Sequence, residues 1–187
     1  MRRYTIRILG LVLVAAAAIV PAASAQTETF TATASVKGAG GAAATAPVTI
    51  VVDRKMPQAE ADKLLAAFKS GGAAALRKAL TGVKPTGSIR VGGGAPTPTR
   101  LAIERATDKG RLVTVVADAP ILHLGAGSAD AKPKTGYDFA IVDLEVNAAG
   151  AGTGTFTPAA KITVKQDVFV VEDYSGEVVK LTGVSRK

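Results

Sequence analysis

The order of apolar and polar positions divides this chain into strand-like runs at both ends and a helical stretch between them. From Thr27, TETFTATASVK alternates threonine and serine with apolar residues, the period of a strand with one face in water. The glycine- and alanine-rich GAGGAAATA that follows predicts a connector, and PVTIVVD, Pro47 to Asp53, predicts a buried β-branched strand. Then the period changes. Ala61, Leu64, Leu65 and Phe68 fall at i, i+3, i+4 and i+7, the apolar face of a helix. Pro57 suits its first turn, Glu60 its positive end and Lys69 its negative end, while Gly71 and Gly72 stop it. A shorter helix, AAALRKALTG, places Leu76 and Leu80 on one face and ends at Gly82. The expectation is a two-helix hairpin over about 57–81, docked through Leu64, Leu65, Phe68, Leu76 and Leu80.

From Thr86 onward the pattern is β again. SIRV, TRLAIERAT, RLVTVVAD, YDFAIVDLEVN, TFTPAAKITVK, DVFVVED and EVVKLTGVS are short runs separated by GGGAPTP, DKG, NAAGAGTG and YSG. Mostly short connections favour antiparallel neighbours, because parallel pairs need long crossovers. The predicted class is α+β, mostly β: an antiparallel sandwich-like or strongly curved sheet with the two-helix hairpin inserted. No internal repeat is visible.

The first twenty-five residues have the order of a secretory signal peptide. MRRYTIR is basic, ILGLVLVAAAAIV is apolar, and Ala23-Ser24-Ala25 supplies the small residues of a cleavage site before Gln26. A spanning helix needs about 20 apolar residues, and Pro21 and Ser24 interrupt this run too early. The expectation is therefore a leader, 1–25, and one β-rich domain, 26–187. That domain would have no membrane span after cleavage, and its place would be the periplasm or the extracellular medium.

Charge and composition then narrow the functions. The leader takes Arg2, Arg3 and Arg7 with it, so 20 basic residues face 15 acidic ones, a net charge of +5. The basic residues are scattered pairs, there is no tryptophan, and only Tyr137 and Tyr174 follow the leader among the tyrosines. A nucleic-acid binder gathers its charge on one face and interleaves aromatics for stacking, so no nucleic-acid partner is expected. The charge instead favours solubility and weak attraction to an anionic surface or another envelope component. With no cysteine, the chain has neither a thiol nucleophile nor a disulfide, and its stability rests on burial.

The order of these segments, the predicted hairpin followed by GSIRV, RLVTVVADAPI, YDFAIVDLEV and KLTGVSRK, resembles a group of exported bacterial proteins with no assigned activity. The resemblance lies in the layout and implies no functional residue.

Three stretches carry candidate chemistry. His123 is the only histidine, so a triad would need it as base, with Ser128 and Asp118 or Asp130 as partners. Gly127-Ser128-Ala129 is not a G-x-S-x-G elbow, and the flanking Ile121, Leu122 and Leu124 read as an apolar run leaving a strand. GAGSAD has the first two spacings of a dinucleotide loop, but Asp130 stands at the third and no helix follows. The segment from Gly125 to Gly136 reads as a surface connector. In YDFAIVDLEVN, Asp143 and Glu145 share a strand face about 7 Å apart, a spacing open to calcium or to acid–base work. The plainer expectation pairs them with Lys161 and Lys165 on the next strand.

No cofactor and no metal site is expected, and His123, Asp143 and Glu145 are the candidate catalytic residues. The primary reading is an exported non-catalytic envelope or periplasmic domain with a structural or binding role. The alternative is a small secreted hydrolase or lyase using His123 or the Asp143/Glu145 pair. The net charge also permits a calcium- or polyanion-responsive adhesion module.

Overall fold

A computed structural model describes residues 4–5, 27–37, 43–122, 135–165, 168–174 and 179–187. His123, Ser128 and Asp130 lie outside the described residues, as does most of the predicted connector. The strands are β1 (Tyr4–Thr5), β2 (Glu28–Lys37), β3 (Ala43–Val52), β4 (Gly87–Val91), β5 (Thr97–Thr99) and β6 (Leu101–Thr107). They continue with β7 (Gly110–Ala117), β8 (Phe139–Val146), β9 (Gly152–Lys165), β10 (Val168–Asp173) and β11 (Val179–Arg186). One helix, α1 (Gln58–Thr81), joins β3 to β4.

The sheet is antiparallel and nearly closed. Its order is β5-β4-β3-β2-β11-β9-β8-β7-β6, so the two outermost strands are consecutive in sequence with only Arg100 between them. The chain leaves β4's side as β5, turns at Arg100, whose N–H donates to the Val116 carbonyl at 2.8 Å, and runs on beside β7 as β6. A single bent stretch thus links the two edges. The sheet curls on itself in a barrel-like form, where the sequence allowed a sandwich. The buried hydroxyls of Thr86 and Thr99, 3.0 Å apart, add a side-chain bond close to that corner.

Strand alternation sends one set of side chains inward. Phe30, Ala32 and Ala34 on β2, Val48, Ile50 and Val52 on β3, and Val113, Val115 and Ala117 on β7 belong to one core cluster. Ala140, Val142, Leu144 and Val146 on β8 and Phe156 on β9 complete its far side. A Cβ at Gly152 or Gly154 would run into the carbonyl oxygens of Glu145 or Asp143, so glycine lets β9 lie close against β8. β3 begins at Ala43, which makes strand of AATA where the sequence predicted connector, because β2 pairs with it through Lys37↔Ala43.

The helical stretch α1 is two helical segments that meet across a kink at Gly72 (φ 65°, ψ −157°), within the glycine pair where the sequence placed the break. This single non-helical residue stands between them rather than a hairpin loop. That conformation is open to glycine alone. Pro57 is the N-cap and not the first helical residue. Leu64, Phe68 and Leu80 are buried and Leu76 is partly so; with Met56, Leu64 and Leu80 pack over the outward face of Val116, Phe139, Ile141 and Ala160. Leu65 departs from the expected docking set: it is exposed, because the contact stripe follows Leu64 and Phe68. Arg54 ties Glu60 in the first turn at 3.1 Å and also donates to the Lys84 carbonyl, and Arg100 donates to the Val83 carbonyl at 2.8 Å. Leu80→Ala is expected to cost about 2–5 kcal/mol in urea unfolding, and Leu65→Ala within about 0.5 kcal/mol of nothing. Equal losses in the two variants would show that the helix docks through a different face.

Candidate functional site

The Asp143 and Glu145 side chains lie on the outward face of β8, as strand alternation requires, but they do not act on one point. Asp143 accepts a hydrogen bond from the Thr114 hydroxyl on β7 at 2.5 Å. Burial pushes its carboxyl up, opposed by the Thr114 bond and by the charge of Arg105. Glu145 instead faces Lys109 at 3.7 Å. The expected lysine partners are not opposite them: Asp143 stands across from Thr155 and Glu145 from Thr153, while Lys161 lies on the part of β9 that pairs with β10. The cause is the connection after β8, where β9 already begins at Gly152 and so carries its lysines past the carboxylates. Asp118, once a possible triad member, faces the Arg100 guanidinium at 3.3 Å. Among the described residues no group of three or more His, Asp or Glu side chains is placed to hold a metal ion.

A denser charge cluster, which the sequence reading missed, closes one end of the barrel. Glu28 and Arg111 occupy inward positions of β2 and β7, one step beyond the apolar series Phe30-Ala32-Ala34 and Val113-Val115-Ala117. Arg111 grips the Glu28 carboxylate with both terminal nitrogens, at 2.6 and 3.1 Å, and lies 5.8 Å above the Phe30 ring. Arg186 reaches the same carboxylate at 3.2 Å, and Lys55 bridges Glu28 and Glu104 at 3.3 and 2.6 Å. The Arg111 bond, against the cost of burial and with help from Arg186 and Lys55, holds Glu28 down at about 2. For Glu104 burial works upward, and the bonds from Lys55 and Arg111 outweigh it and lower the carboxyl. Every cation and anion of this cluster has a partner within it, three cations against two carboxylates, so the charges engage one another across the barrel end. A charged residue at the inward phase of each strand was the signal that marks it.

The opposite situation holds where α1 breaks. A groove of about 520 Å³ runs between the helix at Phe68–Ala73 and the outer half of β9. Phe68, Ala73 and Ile162 give it an apolar floor, Lys69 and Lys161 bring two ammonium groups, and Gly136 forms part of its wall. The kink at Gly72 lies in the groove's lining, between Lys69 and Ala73. The wall segment is fixed from two sides. Asp138 pairs with Arg77 of α1 at 3.2 Å, and the Tyr137 hydroxyl donates to Glu172 of β10 at 2.8 Å. Burial, with Glu172 next, pushes the Tyr137 phenol up to about 12, so it is a donor throughout the neutral range. Tyr174 packs edge-on against the Tyr137 ring, 5.4 Å between centroids.

Fold and site together define a curled antiparallel β-domain with a packed interior, one broken helix on its outer face and a cationic groove at the break. No family model, curated protein or solved structure matches the chain.

Proposed function

We propose that this protein is an exported, non-catalytic domain of the envelope or periplasm with a binding role, and that its ligand enters the groove at the break in α1. The observation that carries this reading is the groove's make-up: an apolar floor beside two lysines that have no ion-pair partner among the described residues. Such a concave, mostly apolar site with a few orienting polar groups suits ligand binding. Export rests on the sequence of residues 1–25, of which the structure describes β1; cleavage would take β1 from the edge of β10. The hydrolase or lyase reading gains no observation in its favour, since Asp143 and Glu145 are engaged by different partners.

Two measurements test the reading. Exported protein should have an intact mass that begins at Gln26; a mass retaining Met1 would remove export through a cleaved leader. Isotope-labelled protein titrated with extracts of the cell envelope should show amide shifts at Gly72, Ala73, Gly136 and Ile162. Shifts clustered on the charge plug or the outward face of β2 and β3, with the groove silent, would place the binding surface elsewhere.

A further inference from the structure

Resting on that reading of the groove, we infer that its ligand is an amphiphilic anion: an acyl chain that ends in a carboxylate or a phosphate. The chain lies on Phe68, Ala73 and Ile162, and the head sits between the ammonium groups of Lys69 and Lys161.

Three observations lead there. The first is size and lining. A groove of about 520 Å³ is within the roughly 300–1,000 Å³ of small-molecule sites, and carbon lines the part that α1 and Ile162 enclose. A fully polar ligand would lose water there without recovering hydrogen bonds. An apolar chain loses nothing.

The second is the sign of the charge. Lys69 is exposed at the end of the helical turn before the break, and Lys161 is half-buried on β9. Neither makes an ion pair with a described residue. Other cations without an ion pair, such as Lys63, Lys78 and Arg90, lie exposed outside the groove, whereas Lys69 and Lys161 line it together. An anion supplies what they lack.

The third is how Lys161 is kept unmatched. Glu172 stands directly opposite Lys161 in the β9–β10 register and would be its natural cross-strand partner. Its carboxylate is instead engaged by the Tyr137 hydroxyl at 2.8 Å, from a segment that Arg77 anchors to α1 through Asp138. Tyr137 is thus a positioning residue: it holds the competing carboxylate and leaves the lysine for the ligand.

The test is calorimetric titration of the purified protein with dodecanoate and with dodecyl phosphate below their micelle concentrations. Inorganic phosphate and dodecyl maltoside serve as the head-only and chain-only controls. Both anionic amphiphiles are expected to bind in the micromolar range and each control at least tenfold more weakly; which amphiphile binds tighter distinguishes a carboxylate from a phosphate head. Lys69→Glu, on an exposed position that leaves the fold intact, should weaken the amphiphiles about tenfold, and Lys69→Glu/Lys161→Glu further. Tyr137→Phe should weaken them by up to roughly fivefold, by freeing Glu172 to pair with Lys161, and adding Glu172→Gln should restore the affinity. A merely structural Tyr137 would not be rescued in this way. Inorganic phosphate or dodecyl maltoside binding as tightly as the amphiphiles overturns the inference, and so does amphiphile binding that Lys69→Glu leaves unchanged. If envelope extracts shift the groove amides while both amphiphiles fail to bind, the ligand class falls and the groove stands. If neither reaches the groove, both fall.

Discussion

Glu28→Ala should destabilise the protein by about 3–5 kcal/mol, the range for removing one partner of a buried ion pair. The side chain is only 10 % exposed and receives Arg111, Arg186 and Lys55. Its removal would leave three cations crowded at the barrel mouth with Glu104 as the one remaining counter-charge. Arg111 would lose its bidentate grip and stay close to the apolar Phe30 ring, where water cannot fully replace the carboxylate. The same group predicts a pH dependence. In the folded protein Glu28 is held at about 2, against an ordinary 4.5 in the unfolded chain. Between those values the unfolded state binds the extra proton, so stability rises with pH across the window. The contribution is therefore present above about pH 4.5 and is lost as pH falls towards 2, on the order of 3 kcal/mol in all. Urea unfolding followed from pH 7 to pH 2.5 should show this loss in the wild type and a shallower one in Glu28→Ala. A wild-type midpoint that stays flat below pH 4.5 would mean that the plug does not hold its charge as described.

The strands were legible from two signals: β2 and β4 alternate with a period of two, and β7, β8, β10 and β11 are β-branched runs bounded by turn residues. Closure of the sheet was not. It depends on the single corner at Arg100, and nothing local distinguishes TPTRLAIERAT as one bent strand from the same residues as a straight one. Leu65 and Leu64 fit a helical stripe equally well, and only the sheet beneath decides which of them is covered. The pairing of Asp143 with Lys161 failed for a related reason. Register follows the length of the turn: with Val146 opposite Gly152, Lys161 falls beyond Phe139. Even a turn running through Gly154 would bring it only to Ala140, short of both carboxylates. For the groove, the sequence showed the glycine pair and the lysines but not their meeting. Lys69 and Lys161 are ninety-two positions apart, and the wall residue Tyr137 comes from a third segment.

Phe156→Ala tests whether the curled sheet is a packed solid or a shell. Phe156 has no exposed surface and sits on the inward face of β9, opposite Val142 on one neighbour and Val179 on the other. The two inward positions before it are Gly154 and Gly152, which supply no side chain. Its ring is therefore the first bulk that β9 brings to the interior, and the strand's glycines cannot collapse to replace it. Truncation should cost about 3–5 kcal/mol, the transfer loss together with an unfilled cavity. In a domain of this size that lowers the melting temperature by roughly 6–20 °C. The space left behind would be lined by Leu144, Val142 and Leu181 and would hold no polar group to retain water. Such a cavity stays dry and takes up a small apolar molecule. Benzene should therefore raise the melting temperature of Phe156→Ala and leave the wild type unmoved. A variant that melts with the wild type would mean that the interior is loosely filled, and the barrel itself would then become a second place to look for a ligand.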